Sequence, residues 1–327
     1  MPVAPTRRRA LALAASAAAM ATRAAADTTA YKPAPGPFAV RTANPLSFRL
    51  DDQNKDLQLR LSWPDAPGPF PVVAFSHGAL SSKDLYTRVA EHWASHGYAV
   101  VLPTHLDSES LGYSFRNPLP REQVFFGRIQ DMQFIFANLD AIAAQAGVPG
   151  ALDAGRMAVA GHSFGGWIAL IMAGLPVTMP DGTLKSFAEP RLKALVSYNG
   201  IGQMAGIPED GWARVTLPVF AASGTHDPGA TGDGVLRPWR WRMGAYDLAG
   251  AREKYGVSVV RGDHYFGGLI CRETAPGPAD HDGLAVVNGA STAFLDAYVK
   301  DDAAAKRFLK DADLRTLSAD RGFLERS

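Results

Sequence analysis

Short apolar runs alternate with amphipathic stretches along most of this chain, and that alternation constrains the fold more than any other feature. "FPVVAFS" (70–76), "YAVVLPT" (98–104), "RMAVAGHS" (156–163), "LKALVSY" (192–198) and "PVFAASGT" (218–225) have strand length and are apolar at successive positions. Such runs suit strands covered on both faces. "GVSVVRG" (256–262) reads as a further strand, and "LQLRLSW" (57–63) alternates apolar and polar as an edge strand does. Helical stretches stand between them. In "SKDLYTRVAEHWASHG" (82–97) Leu85, Val89, His92 and Trp93 share a face and Gly97 is the stop. "REQVFFGRIQDMQFIFANLDAIAAQ" (121–145) reads as one long helix, and "FGGWIALIMAG" (164–174) and "HDGLAVVNGASTAFLDAYV" (281–299) as two more. Strands separated by helices imply right-handed crossovers, hence an α/β fold with a mainly parallel central sheet and helices on both faces. Sites in such sheets form beyond the carboxyl ends of the strands.

Composition narrows the function. Of 327 residues, 47% are hydrophobic and 20% charged, which allows a sizeable core. The first 26 residues have a basic start, an alanine- and leucine-rich middle and the small-residue end "AAA", the layout of an export signal. Arg7, Arg8 and Arg9 point to the twin-arginine type, with cleavage before Asp27 and a periplasmic or extracellular destination. The apolar run is too short and alanine-rich for stable membrane insertion. Without Arg7, Arg8, Arg9 and Arg23 the mature chain has 29 basic against 32 acidic residues, net −3, and no footprint for nucleic acid. The single cysteine, Cys271, excludes an intrachain disulfide and a multi-cysteine metal site, and reads as a buried apolar residue. There is no metal-ligand cluster, phosphate loop or nucleotide fingerprint, so no metal or cofactor is expected, nor a protein partner. Residues 27–45 read as a linker, 46–327 as a single catalytic domain, and "DADLRTLSAD" (311–320) as a solvated tail segment.

The chemistry centres on "GHSFG" (161–165), a G-x-S-x-G pattern flanked by "MAVA" and "GWIALIMA". A strand that turns into a helix within about two residues holds its serine in a strained backbone at the top of the sheet. Gly161 and Gly165 would remove side chains where strand and helix nearly touch. The alternative is a structural glycine turn. A serine hydroxyl needs a base. His264 in "VVRGDHYFGG" follows the last parallel strand and is the candidate, with His281 the weaker one. His92 and His96 fall in a helix, and His162 packs in the turn. The acid should follow an earlier strand. Asp227 in "ASGTHDPGATGD" is best placed and Asp233 is the reserve, while Asp263 is too close to His264 to fold back on its ring. Two amides should hold an oxyanion, those of Phe164 and of Ala79 in "SHGAL" (76–80). His77 braces that loop.

With these residues in hand, the chain resembles the α/β-hydrolase superfamily. More narrowly it resembles the platelet-activating-factor acetylhydrolase and predicted dienelactone hydrolase group. The likeness rests on "VVAFSHGAL", "HWASHGYAVVLPTH", "GRMAVAGHSFGGW" and "GDHYFGG", spread over about residues 70–270. Cutinase-like polyesterases share a similar serine motif. The resemblance implies hydrolysis of short-acyl or aromatic esters through an acyl-enzyme. Two departures stand out. Dienelactone hydrolases carry a cysteine where Ser163 stands, and the animal acetylhydrolases carry their acid where Asn199 stands in "LVSYNG". The acid must then come from the next strand, which points again to Asp227, and Tyr198 and Asn199 become candidates for lining the cleft. Trp239 and Trp241 in "LRPWRWRMGAY" (236–246) are expected either to wall an acyl or aryl group or to cover the core. The expected partner is a small-molecule or polymeric ester. An amidase or peptidase on the same triad, and a non-catalytic binding protein on this fold, are the rival readings.

Overall fold

The computed structural model describes residues 29–230 and 235–327. The export signal and Asp233 lie outside the described residues. Nine strands form the main sheet: β1 (Val40–Leu50), β2 (Lys55–Pro64), β3 (Phe70–Ser76), β4 (Ala99–Thr104), β5 (Leu152–His162), β6 (Leu192–Tyr198), β7 (Val219–Gly224), β8 (Lys254–Val259) and β9 (Gly322–Arg326). Their spatial order is β1-β2-β4-β3-β5-β6-β7-β8-β9. β4, β3, β5, β6, β7 and β8 run parallel, while β1, β2 and β9 pair antiparallel at the two margins. β3 and β4 are buried at every position, as their unbroken apolar runs require. The expected mainly parallel α/β sheet is present.

The helices are α1 (Thr87–Ser95), α2 (Arg121–Ala137), α3 (Leu139–Gln145), α4 (Phe164–Met172), α5 (Gly244–Leu248), α6 (His281–Val299), α7 (Ala303–Asp311) and α8 (Leu314–Leu317). Strand alternation splits the core in two. Val72 and Ala74 face one cluster with Ile129 and Met132 of α2 and Ile168 to Met172 of α4. Val73 and Phe75 face the other, with Trp93 of α1, Phe294 of α6 and Phe308 of α7. No helix among the described residues is long and apolar enough to cross a membrane.

Three expectations need correction. The helix expected over 121–145 is two, because the Asn138 side chain donates to the Phe134 carbonyl at 2.8 Å and its backbone leaves helical geometry. The linker expected over 27–45 belongs to the domain from at least Ala30. Ala30 is buried, Tyr31 stacks on Phe308, Lys32 reaches Asp296 at 2.5 Å, and β1 has begun by Val40. Gly289 of α6 makes this docking possible, since a Cβ there would stand 2.8 Å from Pro33 N. Residues 311–320 are no free tail: Asp313 caps α8, Leu314 is buried, and the chain goes on into β9.

Candidate active site

The site is built on the carboxyl ends of β3, β5, β7 and β8. β5 ends at His162 and α4 begins at Phe164, leaving Ser163 alone in the turn at φ 55°, ψ −120°. That conformation costs about 1–3 kcal/mol for a residue with a side chain. The surroundings enforce it. Ser163 N–H donates to Tyr198 O at 3.0 Å, pinning the turn to β6. A Cβ on Gly161 would stand 2.1 Å from Gly165 O, and one on Gly165 2.0 Å from Ser76 O. These two glycines are clearance for crossing backbones.

His264 and Asp227 meet. His264 Nδ1 lies 2.8 Å from Asp227 Oδ2. A carboxylate only accepts, so Nδ1 carries the proton and Nε2 is left bare as a base. Burial lowers the His264 pKa below its ordinary value despite the opposing bond to Asp227. Asp227 is itself 1% exposed and takes two more donors: Asn199 Nδ2 at 2.6 Å and Arg242 Nε at 3.2 Å. Asp263 does not reach the ring of His264. Its carboxylate instead accepts from the amides of Tyr265 and Gly267 and closes the loop that carries the histidine. His281 stands exposed at the start of α6.

The loop after β3 is braced from behind. Arg128 of α2, fully buried, donates to His77 O at 2.6 Å and Gly78 O at 3.0 Å, and grips Asp107 at 2.9 and 2.8 Å. Asp107 in turn accepts from Leu80 N. Burial works to raise the Asp107 pKa, but the Arg128 charge and hydrogen bonds outweigh it and hold the carboxyl well below the usual range. With both carbonyls turned to Arg128 and the amides of Gly78 and Leu80 engaged by Tyr86 and Asp107, the Ala79 amide stands between two anchored neighbours. Phe164 is the first residue of α4, where an N–H has no acceptor within the helix. Arg128→Ala is expected to destabilise the fold by about 3–5 kcal/mol, because it leaves a buried carboxylate unpaired. Urea unfolding measures it, and a loss under about 1 kcal/mol would deny the clamp its role.

His162 ties the parts together. Its Nε2 faces His264 O at 2.9 Å, so that nitrogen carries the proton, and Nδ1 then accepts from Tyr86 Oη at 2.8 Å. Tyr86 Oη accepts from Gly78 N at 2.9 Å. One neutral imidazole thus links the loop after β3, the serine turn and the histidine loop. Burial lowers its pKa well below the ordinary value. A second Ser–His–Asp array sits below. Ser76 Oγ meets His105 Nε2, and His105 Nδ1 meets Asp131 Oδ2, each at 2.9 Å. Ser76, His105 and Asp131 are 0% exposed and Lys55 caps Asp131 at 2.5 Å, so no substrate reaches this array. It supports the strand end, as the His105 N–H bond to His77 Nε2 shows.

The expected cleft-lining residues divide. Tyr198 is fully buried, its hydroxyl 2.7 Å from Ser291 Oγ, which corrects its placement from cleft to core. Asn199 is 0% exposed and touches Asp227, so it holds the acid instead of lining the cleft. Asn199 stands just past the end of β6 at φ 46°, where the backbone has left the strand. Trp239 and Trp241 are half-buried against the core. The Trp241 indole covers backbone at Gly202 and Gly229, where a Cβ would come within 2.7 and 2.6 Å of the ring. Arg242, Arg128, Asp107 and the linking role of His162 escaped the sequence reading. The signal that existed was an arginine within apolar helical spacing in α2, which demands a buried acid.

Residues 35–186 match the chlorophyllase family model. A type 0 chlorophyllase of Chenopodium album is 31% identical over 145 residues, 42% of this chain and 38% of the relative. The chain thus spans well under half the length of that relative. The span matched to chlorophyllase contains Ala79, Ser163 and Phe164 and stops short of Asp227 and His264. The sheet and its crossing helices have the α/β-hydrolase fold. The match names chlorophyllases and does not support the narrower likeness to the acetylhydrolase and dienelactone hydrolase group expected from the motifs.

Proposed function

We propose that the chain is a serine carboxylic-ester hydrolase working through Ser163, His264 and Asp227. The observation that carries the reading is the 2.8 Å His264–Asp227 contact, with the His264 ring 4.6 Å from that of His162, the residue before a serine held at φ 55°. In this reading His264 Nε2 takes the proton as Ser163 Oγ attacks the ester carbonyl. The amides of Ala79 and Phe164 receive the oxyanion. Asp227 stabilises the imidazolium, which gives its proton to the departing alcohol. A water, deprotonated by His264, then releases the acid from the acyl-enzyme. Trp239 and Trp241 would offer one apolar wall.

The substrate proposal starts from the chlorophyllase match: the ester of chlorophyll is the first compound to try, ahead of short-acyl or aromatic esters and polyesters. A fluorophosphonate probe tests the nucleophile. Labelling of the wild type at Ser163 supports the reading, and no labelling in a protein with an intact unfolding transition would sink it. Matched ester and amide substrates separate esterase from amidase. Because the folded His264 pKa is lowered, the base stays neutral down to pH values below the ordinary 6.5 and is lost only under more acid conditions. The acid limb of kcat/KM is therefore expected below about pH 6.5. A limb at pH 7 or above would contradict this. Export is part of the proposal, and N-terminal sequencing of the secreted chain should begin at Asp27.

A further inference from the structure

Arg272 is a half-buried cation without an acid. Arg60, Arg128, Arg156, Arg240, Arg242 and Arg321, buried or half-buried like it, each reach a carboxylate. The Arg272 guanidinium meets two ring faces instead, its carbon 5.2 Å from the Phe115 centroid and 5.6 Å from that of Tyr265. Ring faces attract a cation but leave its N–H donors without an oxygen acceptor. Among the described residues no side chain or carbonyl engages those donors. Burial raises the Tyr265 pKa against the pull of the Arg272 charge, so the phenol beside the cation is neutral. Three loops at the carboxyl end of the sheet converge on this residue. Cys271, just before it, lies at φ 67°, donates its N–H to Leu85 O at 3.2 Å and accepts from Ser81 Oγ at 3.0 Å. A Cβ on Gly78 would stand 2.9 Å from Cys271 Sγ, so Arg272 follows a residue packed against the loop that carries Ala79. Tyr265 follows His264, their rings edge-on and 4.9 Å apart. Ile270 N–H donates to Tyr265 O at 3.2 Å, which folds the segment back and brings Arg272 over the Tyr265 ring. Phe115 comes from the loop after β4 and is 71% exposed. The cation therefore stands at the solvent-facing rim, beside the loop of the base and next to the loop of the oxyanion.

We propose that Arg272 is a carboxylate-binding subsite, which selects esters that carry a second, free carboxylate away from the scissile bond. The proposal rests on the esterase reading above and adds the substrate class. A guanidinium presents paired N–H groups that match the two oxygens of a carboxylate. Partial burial between apolar surfaces strengthens such a pair over one in open water. The two rings hold the guanidinium in place without using its hydrogen-bonding edge, so the edge is ready for a ligand. Position sets the reach. The Tyr265 ring separates the guanidinium from the His264 ring, so a carboxylate held here lies beyond the reacting carbonyl by a linker of several carbons.

Two pairs of esters test the subsite. Mono-p-nitrophenyl hexanedioate, with its free carboxylate, is compared with its uncharged methyl ester, and 6-acetoxyhexanoate with 6-acetoxyhexanamide. In the wild type the charged member of one pair should have the higher kcat/KM by about tenfold, through KM. A preference in the first pair places the carboxylate on the acyl part, and one in the second places it on the alcohol. Arg272→Gln should bring that ratio down about tenfold. Arg272→Lys should keep part of it, since an ammonium retains the charge but not the fork. Arg88→Gln, which removes an exposed cation of α1, should leave the ratio as it is in the wild type. Ratios near one in both wild-type pairs, a preference that survives Arg272→Gln, or an equal fall in Arg88→Gln overturns the subsite. Binding is read apart from turnover, through the Nε–Hε NMR signal of Arg272 in Ser163→Ala, assigned by its loss when Arg272→Gln is added. Monomethyl hexanedioate should shift this signal and dimethyl hexanedioate should not. If no ester is hydrolysed but the signal moves, the esterase reading fails and the subsite stands. If esters are hydrolysed with neither a charge preference nor a shift, the subsite fails and the esterase reading stands.

Discussion

Ser163→Ala is expected to lower kcat for ester hydrolysis by about 10⁵-fold or more, as loss of a triad nucleophile does. The fold should survive. Alanine keeps a Cβ in the same strained turn, and the turn is set by backbone contacts, the Ser163 N–H bond to Tyr198 O and the close crossings at Gly161 and Gly165. A comparison with Ser163→Gly sharpens the point. Glycine accepts φ 55° without a Cβ penalty, so Ser163→Gly should be equally inactive yet more stable than Ser163→Ala, by about 1 kcal/mol. Turnover of p-nitrophenyl acetate and thermal melts read both. Residual activity within tenfold of the wild type would remove Ser163 from the mechanism. A Gly variant less stable than the Ala variant would remove the strain argument.

Asp227→Asn is expected to cost about 10³- to 10⁴-fold in kcat, as loss of the orienting carboxylate does in serine proteases. The local geometry gives the reason. Three donors converge on this carboxylate: His264 and Asn199 on Oδ2, Arg242 on Oδ1. An asparagine must turn its own NH₂ toward one of these sides. If it faces His264, the imidazole is driven to the wrong tautomer. If it faces Arg242, the tautomer survives, but a buried guanidinium loses its counter-charge and the imidazolium loses its stabilising anion. The expected kinetic signature is a fall in kcat at pH 7 with KM little changed. A loss under tenfold would show that another acid orients His264.

Much of the architecture was legible because its signals are local. A strand buried on both faces reads as an apolar run, so β3 and β6 match their expected spans residue for residue, and α6 does too. The antiparallel margins were harder. β1 carries exposed and half-exposed residues along much of its length, and β9 is short with one buried residue, so neither presents the pattern of a buried strand. The break at Asn138 was invisible for a related reason: a side chain competing for its own helix carbonyl leaves the hydrophobic period intact.

By itself the sequence determined the strand–turn–helix setting of Ser163 and the place of His264 after a strand. These follow from short-range patterns and from residue chemistry. Only the tertiary structure decided that Asn199 and Arg242 hold Asp227, that Arg128 reaches from α2 to fix the carbonyls of His77 and Gly78, and that Tyr198 belongs to the core. It also decided that the array of Ser76, His105 and Asp131, which has the connectivity of a triad, is sealed from solvent. Each of these joins residues far apart in the chain through burial and direction in space. Neither quantity is carried by residue type or spacing, and both arise only when the layers pack.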